Sequence, residues 1–137
     1  MSDLTTLPET FVTHLESAID GTRLPADALQ TLHRDRPLWV RYDLEAIGRS
    51  CTRDQLRDRP PGMWRYRELL PPRSSDSIVS LGEGPSPLIP CPRLGGQLGL
   101  RDLWIKDESQ LPTGSFKSRG MAMAITMAQR FGVQRVA

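Results

Sequence analysis

The chain has 137 residues, of which 38% are hydrophobic and 25% charged, and 18 basic against 16 acidic side chains leave a net charge of +2. That length allows one modest core, and so small a charge excludes a nucleic-acid or membrane partner recruited by charge alone. The chain has no basic-then-apolar start and no run of about eighteen apolar residues, which predicts a cytoplasmic protein that is neither secreted nor membrane-spanning.

Residues Met1 to Thr31 read as a helix-prone lead segment. Phe11, Leu15 and Ala18 fall at near-helical spacing, and Ala26 to Leu32 suggests a second short helix after Gly21 and Pro25. Nothing in this lead carries chemistry. Leu38 to Tyr42 then alternates like a half-buried strand, and Asp43 stands as the cap of a short helix over Leu44 to Ser50. Ten arginines lie between Arg34 and Arg73, interleaved with Asp35, Asp43, Asp54 and Asp58. An arginine stripe beside Trp64 and Tyr66 would suit RNA, but the alternating sign points to a solvated, salt-bridged face. Trp64 and Tyr66 read as anchors that pin this arm to a larger body.

Pro71 to Ser77 is a linker by its proline and serine content. Gly82, Gly84, Pro85, Pro87 and Pro90 make the next passage extended rather than helical. Its glycines match neither the P-loop nor the dinucleotide fingerprint, so a phosphate cradle and a structural crossover both stay open. Arg93 to Leu100 reads as a short helix closed by Gly99, and Leu103 to Lys106 as a strand. Between Met121 and Ala128 only Thr126 is polar, which predicts a helix covered on more than one side. After Gly132 a further strand is expected to begin at Val133. Cys51 and Cys91 belong to no Cys-x-x-Cys pair and read as free thiols. His14 and His33 lack ligand partners at useful spacing, so no metal site is expected.

The turn Pro112-Thr113-Gly114 separates that strand from that helix, Ser115 occupies the expected N-cap, and Lys117 falls in the first helical turn. A permanent ammonium is disfavoured at the positive end of a helix, a penalty that a neutral or covalently engaged amine escapes. Of the 18 basic residues only Lys106 and Lys117 are lysines, and lysine forms Schiff bases where arginine does not. On spacing alone, a solvated surface charge remains equally open for Lys117.

The stretch Pro112-Thr113-Gly114-Ser115-Phe116-Lys117, continued by Arg119-Gly120, resembles the cofactor-lysine motif of the threonine synthase family. These are pyridoxal-phosphate enzymes of fold type II, the tryptophan-synthase-β superfamily. Arg41 to Glu45, Met63 to Pro71, Ser80 to Leu88 and Trp104 to Glu108 resemble the same family in the same order, so the likeness covers roughly Leu38 to Ala137. Two positions depart from it: the family often has Asn where Leu111 stands and Asp where Ser118 stands.

The resemblance implies an α/β fold, the N-terminal portion of a fold type II enzyme with an incomplete three-layer sheet. A helical and extended arm (1–75) precedes the start of the catalytic domain (76–137). It implies that Lys117 holds pyridoxal 5'-phosphate and that Phe116 packs on one face of its ring. The Ser80 to Leu88 passage is implied to enter the catalytic body near the substrate pocket. The implied substrate is a small amino acid, O-phosphohomoserine, converted to threonine with release of phosphate. A serine/threonine dehydratase or another fold type II lyase is the alternative enzyme. The family's phosphate loop and pyridine-nitrogen partner come later in its chains, so the 137 residues read as an N-terminal fragment expected to be inactive alone. Self-association, or pairing with a separately encoded remainder, is expected of it. The reading from another class is a non-catalytic remnant or interaction module.

Overall fold

In the computed structural model the described residues are 10–73 and 76–136. Four antiparallel strands come first: β1 (Val12–Ser17), β2 (Arg23–Leu24), β3 (Leu32–His33) and β4 (Arg36–Tyr42), in the sheet order β2-β1-β4-β3. β1 and β4 run from Val12 opposite Tyr42 to Ser17 opposite Leu38, with one irregularity between Val12 and His14. Arg34 and Asp35 form the two-residue connection of the β3–β4 hairpin, with φ of 49° and 60°. Positive φ at both central residues is what a hairpin turn matched to strand twist requires.

This sheet corrects the helices expected over Phe11 to Ala18 and Ala26 to Leu32. Strand β4 presents a row of unpaired backbone groups, and residues more than twenty positions earlier satisfy them. A short helix with one sparse apolar stripe gains too little to compete with such pairing. The part of the expected lead over residues 1–9 lies outside the described residues.

β4 leads into α1 (Leu44–Ser50), whose start is fixed by Asp43: its carboxylate accepts the Ala46 N–H at 2.8 Å. A second helix, α2 (Arg53–Asp58), was not expected. It opens with a capping box in which Thr52 Oγ1 accepts from the Gln55 N–H and Gln55 Oε1 accepts from the Thr52 N–H. A 3₁₀ segment, Met63–Leu69, follows. The arginine stripe is salt-bridged, as its alternating sign suggested. Arg49–Glu45 and Arg57–Asp54 are exposed pairs, whereas Arg59 holds the buried Glu68 through two bonds of 2.7 and 2.6 Å.

The third region is mixed α/β. Strands β5 (Leu88–Pro90) and β6 (Trp104–Lys106) form an antiparallel ribbon, α3 (Pro92–Gln97) lies between them in sequence, and α4 (Lys117–Arg130) follows. Gly99, at φ 70°, takes the left-handed conformation that closes α3. The strand expected at Val133 is absent among the described residues: 133–136 joins no sheet, and the Val133 N–H donates instead to the Ala128 carbonyl at 2.9 Å. Apolar burial is slight and scattered, with Phe11, Ile47, Leu111 and Ala122 as the buried apolar residues. Cys51 and Cys91 are both free, and no described helix is long and apolar enough to cross a membrane.

Candidate active site

The ribbon and α4 are joined by a tight polar turn, and its closure begins with Leu111. That residue, 5% exposed, is buried beneath the turn, and its carbonyl accepts the Gly114 N–H at 2.7 Å. Gly114 sits at φ 65°, which glycine adopts without Cβ strain. The turn is tied to the helix by hydroxyls. Fully buried Ser118 accepts the Thr113 N–H at 3.0 Å, and its Oγ lies 2.7 Å from Thr113 Oγ1. The two departures from the motif thus have structural roles here: Leu111 is a buried apolar plug, and Ser118 closes the turn without a charge.

The cap of helix α4 falls one residue later than expected. Phe116 is the N-cap and makes no side-chain capping bond. Ser115 Oγ still accepts the Lys117 N–H, at a long 3.4 Å. Lys117 is therefore the first residue of α4, as the spacing required, and it is exposed. Among the described residues its amine takes part in no hydrogen bond or ion pair. Phe116 beside it is 66% exposed.

The other lysine is engaged. Lys106 Nζ lies 3.7 Å from Glu108 Oε1 and 3.4 Å from the Ser86 carbonyl. Glu108 is the centre of this cluster. It accepts from Arg119 Nε at 2.7 Å and Arg119 Nη2 at 3.0 Å, and also from the Ser86 hydroxyl. The Arg119 guanidinium first, then the Ser86 hydroxyl, hold its carboxyl down to about 2. Arg119 Nη2 also donates to the Gly84 carbonyl at 3.0 Å.

The glycine loop is fixed from its other side by Glu83, which is 2% exposed. Trp64 Nε1 donates to Glu83 Oε1 at 2.6 Å and the Leu81 N–H to Oε2 at 2.8 Å. Burial pushes this carboxyl up, but the backbone donors, Ser80 and Trp64 together hold it below its ordinary range. Trp64 is therefore an anchor, as expected, whereas Tyr66, expected to be one too, is 44% exposed. Gly82, Glu83 and Gly84 line a cavity of about 480 Å³ together with Trp64 and Arg65.

The sequence alone assigned Glu108, Arg119, Glu83 and Ser86 no role, although all four stand in the motifs that carry the resemblance. The signal was there: opposite charges bracket the Pro-Thr-Gly turn, eleven residues apart. Among the described residues no group of three or more His, Cys, Asp or Glu is arranged to hold a metal ion.

The residues present suit a carbonyl cofactor with a flat ring. They offer one free primary amine, on a turn held by bonds that do not use it, beside an uncovered aromatic ring.

Comparison with known proteins agrees with this chemistry. Residues 79–137 match the family described as pyridoxal-phosphate dependent enzymes. The chain is 44% identical over 99 residues to the threonine synthase of Methanocaldococcus jannaschii, an alignment covering 72% of this chain and 24% of that protein. It is 38% identical over 103 residues to the threonine synthase of Methanosarcina acetivorans, covering 75% and 24%. With the threonine synthase of Mycobacterium leprae it shares 46% over 71 residues, covering 52% and 19%. The chain thus spans about a quarter of the length of the first of these relatives. No solved structure matches it.

Proposed function

We propose, from the premise that residues 79–137 belong to the pyridoxal-phosphate dependent enzymes and that the chain is a partial relative of threonine synthases, that it is the lysine-bearing opening portion of a lyase. In the intact enzyme Lys117 holds the cofactor through its amine and Phe116 packs against one face of the ring. The observation that carries this reading is the free amine of Lys117 at the head of α4, on a turn that other side chains hold in place.

Bound pyridoxal phosphate supplies an electron sink for charge developing at the α-carbon of an amino acid. The chain's own residues do the rest. With the cofactor held in the intact enzyme, the Lys117 amine would take and return protons at the substrate α-carbon and the carbons next to it. Leu111, Thr113 and Ser118 keep the turn closed, so that this amine acts from a fixed origin. The substrate is O-phosphohomoserine: phosphate leaves and water adds to give threonine. Residues 76–137 open the catalytic domain, and 1–75 are the arm that the bond from Trp64 to Glu83 fastens to it.

Borohydride trapping of the full-length protein with pyridoxal phosphate, followed by peptide mapping, tests the cofactor role. Label is expected on Lys117, retained in Lys106→Ala and lost in Lys117→Ala. Label on Lys106, or on neither lysine, overturns it. Phosphate release from O-phosphohomoserine without deamination of serine or threonine tests the substrate, and the reverse pattern assigns a dehydratase instead.

A further inference from the structure

Resting on the reading of Lys117 as the cofactor lysine, we infer that Arg119 and Glu108 are positioning residues, which together set the first turn of α4, and with it Lys117, against the glycine loop. Arg119 lies two residues beyond Lys117 on the same rigid turn, so any shift of its backbone carries Lys117 along. Its guanidinium is committed to fixed acceptors on two other segments. Nε and Nη2 take both oxygens of Glu108 at 2.7 and 3.0 Å, and Nη2 reaches the Gly84 carbonyl at 3.0 Å. A planar fork fixes orientation as well as distance, which a single ammonium contact does not.

The helix start needs such a fixture. Its N-cap makes no side-chain bond, and the first amide bonds are long, from Ser118 to the Ser115 carbonyl at 3.3 Å and from Arg119 to the Phe116 carbonyl at 3.2 Å. Charge-assisted bonds of 2.7 and 3.0 Å outweigh these in holding the turn. The pair is also largely sheltered, with side chains 26% and 22% exposed, so water competes for it less than on an open surface. The same carboxylate engages Lys106 at 3.7 Å. Glu108 therefore gathers the amine of the other lysine while leaving that of Lys117 free.

An ordinary structural ion pair would lower stability and nothing else, so the test needs local and catalytic readouts. On the 137-residue chain, amide exchange at Ser118 and Arg119 is measured below the melting range in wild type, Arg119→Lys, Arg119→Met and Glu108→Gln. Exchange about tenfold faster in Arg119→Met and Glu108→Gln, with Arg119→Lys between, is expected for loss of charge-assisted bonds at that turn. Unchanged exchange in a folded variant overturns the positioning role. If Arg119→Met does not fold, Arg119→Lys decides, since it keeps the charge but cannot fork. In the full-length enzyme kcat should fall at least about tenfold with KM held within about threefold, because a misplaced reacting group loses transition-state interactions more than ground-state binding. Equal loss of kcat across all variants in proportion to the folded fraction also overturns it. Faster exchange together with no trapped cofactor on wild-type Lys117 leaves the clamp standing and removes the cofactor reading instead.

Discussion

Replacing Glu83 by Gln tests how the glycine loop is built. The wild-type carboxylate is 2% exposed and accepts one N–H on each oxygen, from Trp64 Nε1 at 2.6 Å and from Leu81 at 2.8 Å. Gln keeps the shape but carries one acceptor where Glu carries two. Its NH₂ must then face either the indole N–H or the Leu81 N–H, donor against donor. A bond to a charged acceptor contributes about 1.5–3 kcal/mol, and a buried donor left unpaired costs about 1–3 kcal/mol. These overlap, since both describe the same broken contact, so the expected loss is about 2–4 kcal/mol. Against a total stability of roughly 5–15 kcal/mol, that is a large shift in the urea midpoint. Urea unfolding at neutral pH, followed by circular dichroism, measures it, and Trp64→Phe with the double variant supplies the coupling between the two side chains. The charge adds a pH signature. The folded carboxyl lies below its ordinary value of 4.5, so its stabilisation is complete above that value and fades as pH falls below it. Glu83→Gln should lack that part of the acid limb. A Gln variant within about 0.5 kcal/mol of wild type, the range of an inert surface change, would refute the assignment.

Other expectations follow from single sites. In α3, a Cβ on Gly95 would meet the Leu100 carbonyl at 2.9 Å and Leu103 Cβ at 3.3 Å, while one on Gly96 meets nothing within 4 Å. Ala gains about 1 kcal/mol over Gly in a helix, and overpacking costs about 1–3 kcal/mol, so Gly95→Ala should destabilise and Gly96→Ala stabilise in thermal melts; equal shifts would sink the packing argument. The Glu108 carboxyl is held down to about 2 from 4.5, so its clamp is intact above 4.5 and is lost as pH falls toward 2. Exchange at Ser118 should accelerate over that window and stay flat in Glu108→Gln. Leu88, Trp104 and Met121 are 59%, 52% and 52% exposed, so the 137-residue chain should bind a dye specific for apolar surface and self-associate; a sharp monomeric peak with no dye binding would contradict this.

What the sequence made legible was local. The Asp43 cap, the closure of α3 at Gly99, strand β6 and helix α4 are each announced within a few residues by turn chemistry or a run of like residues. Pairing across distance was not legible. Phe11, Leu15 and Ala18 fit a helix stripe, yet only Leu15 lies in a strand, and the decision came from β4, which no window around Phe11 contains. Helix α2 was missed because it buries nothing, although its Thr52–Gln55 capping box stood in plain sequence. At the site, the lysine and its turn were legible because both lie in one unbroken motif. The clamp was not: Glu108, Arg119, Gly84 and Ser86 come from three segments, and only folding shows that one guanidinium serves two of them.

The orientation of α4 follows from the same distinction. Its buried stripe is Ser118, Ala122 and Thr126, spaced four apart, small or polar in each case. Thr126 accepts the Val79 N–H at 3.0 Å, and Arg130 lies 3.7 Å from Asp76 one turn further on. Met121, by contrast, is exposed. Within the described residues hydrogen bonds and an ion pair hold the helix along this stripe, where Ala122 is its buried apolar residue. The β5–β6 ribbon is exposed along its whole length in the same way, and strands apolar on successive residues belong to sheets covered on both faces. Hydrogen bonds fix direction and register, whereas apolar burial supplies most of the net stability. The geometry that places Lys117 is therefore specified by polar contacts already made among these residues, and the apolar faces of α4 and the ribbon leave room for a covering layer to add stability without resetting it.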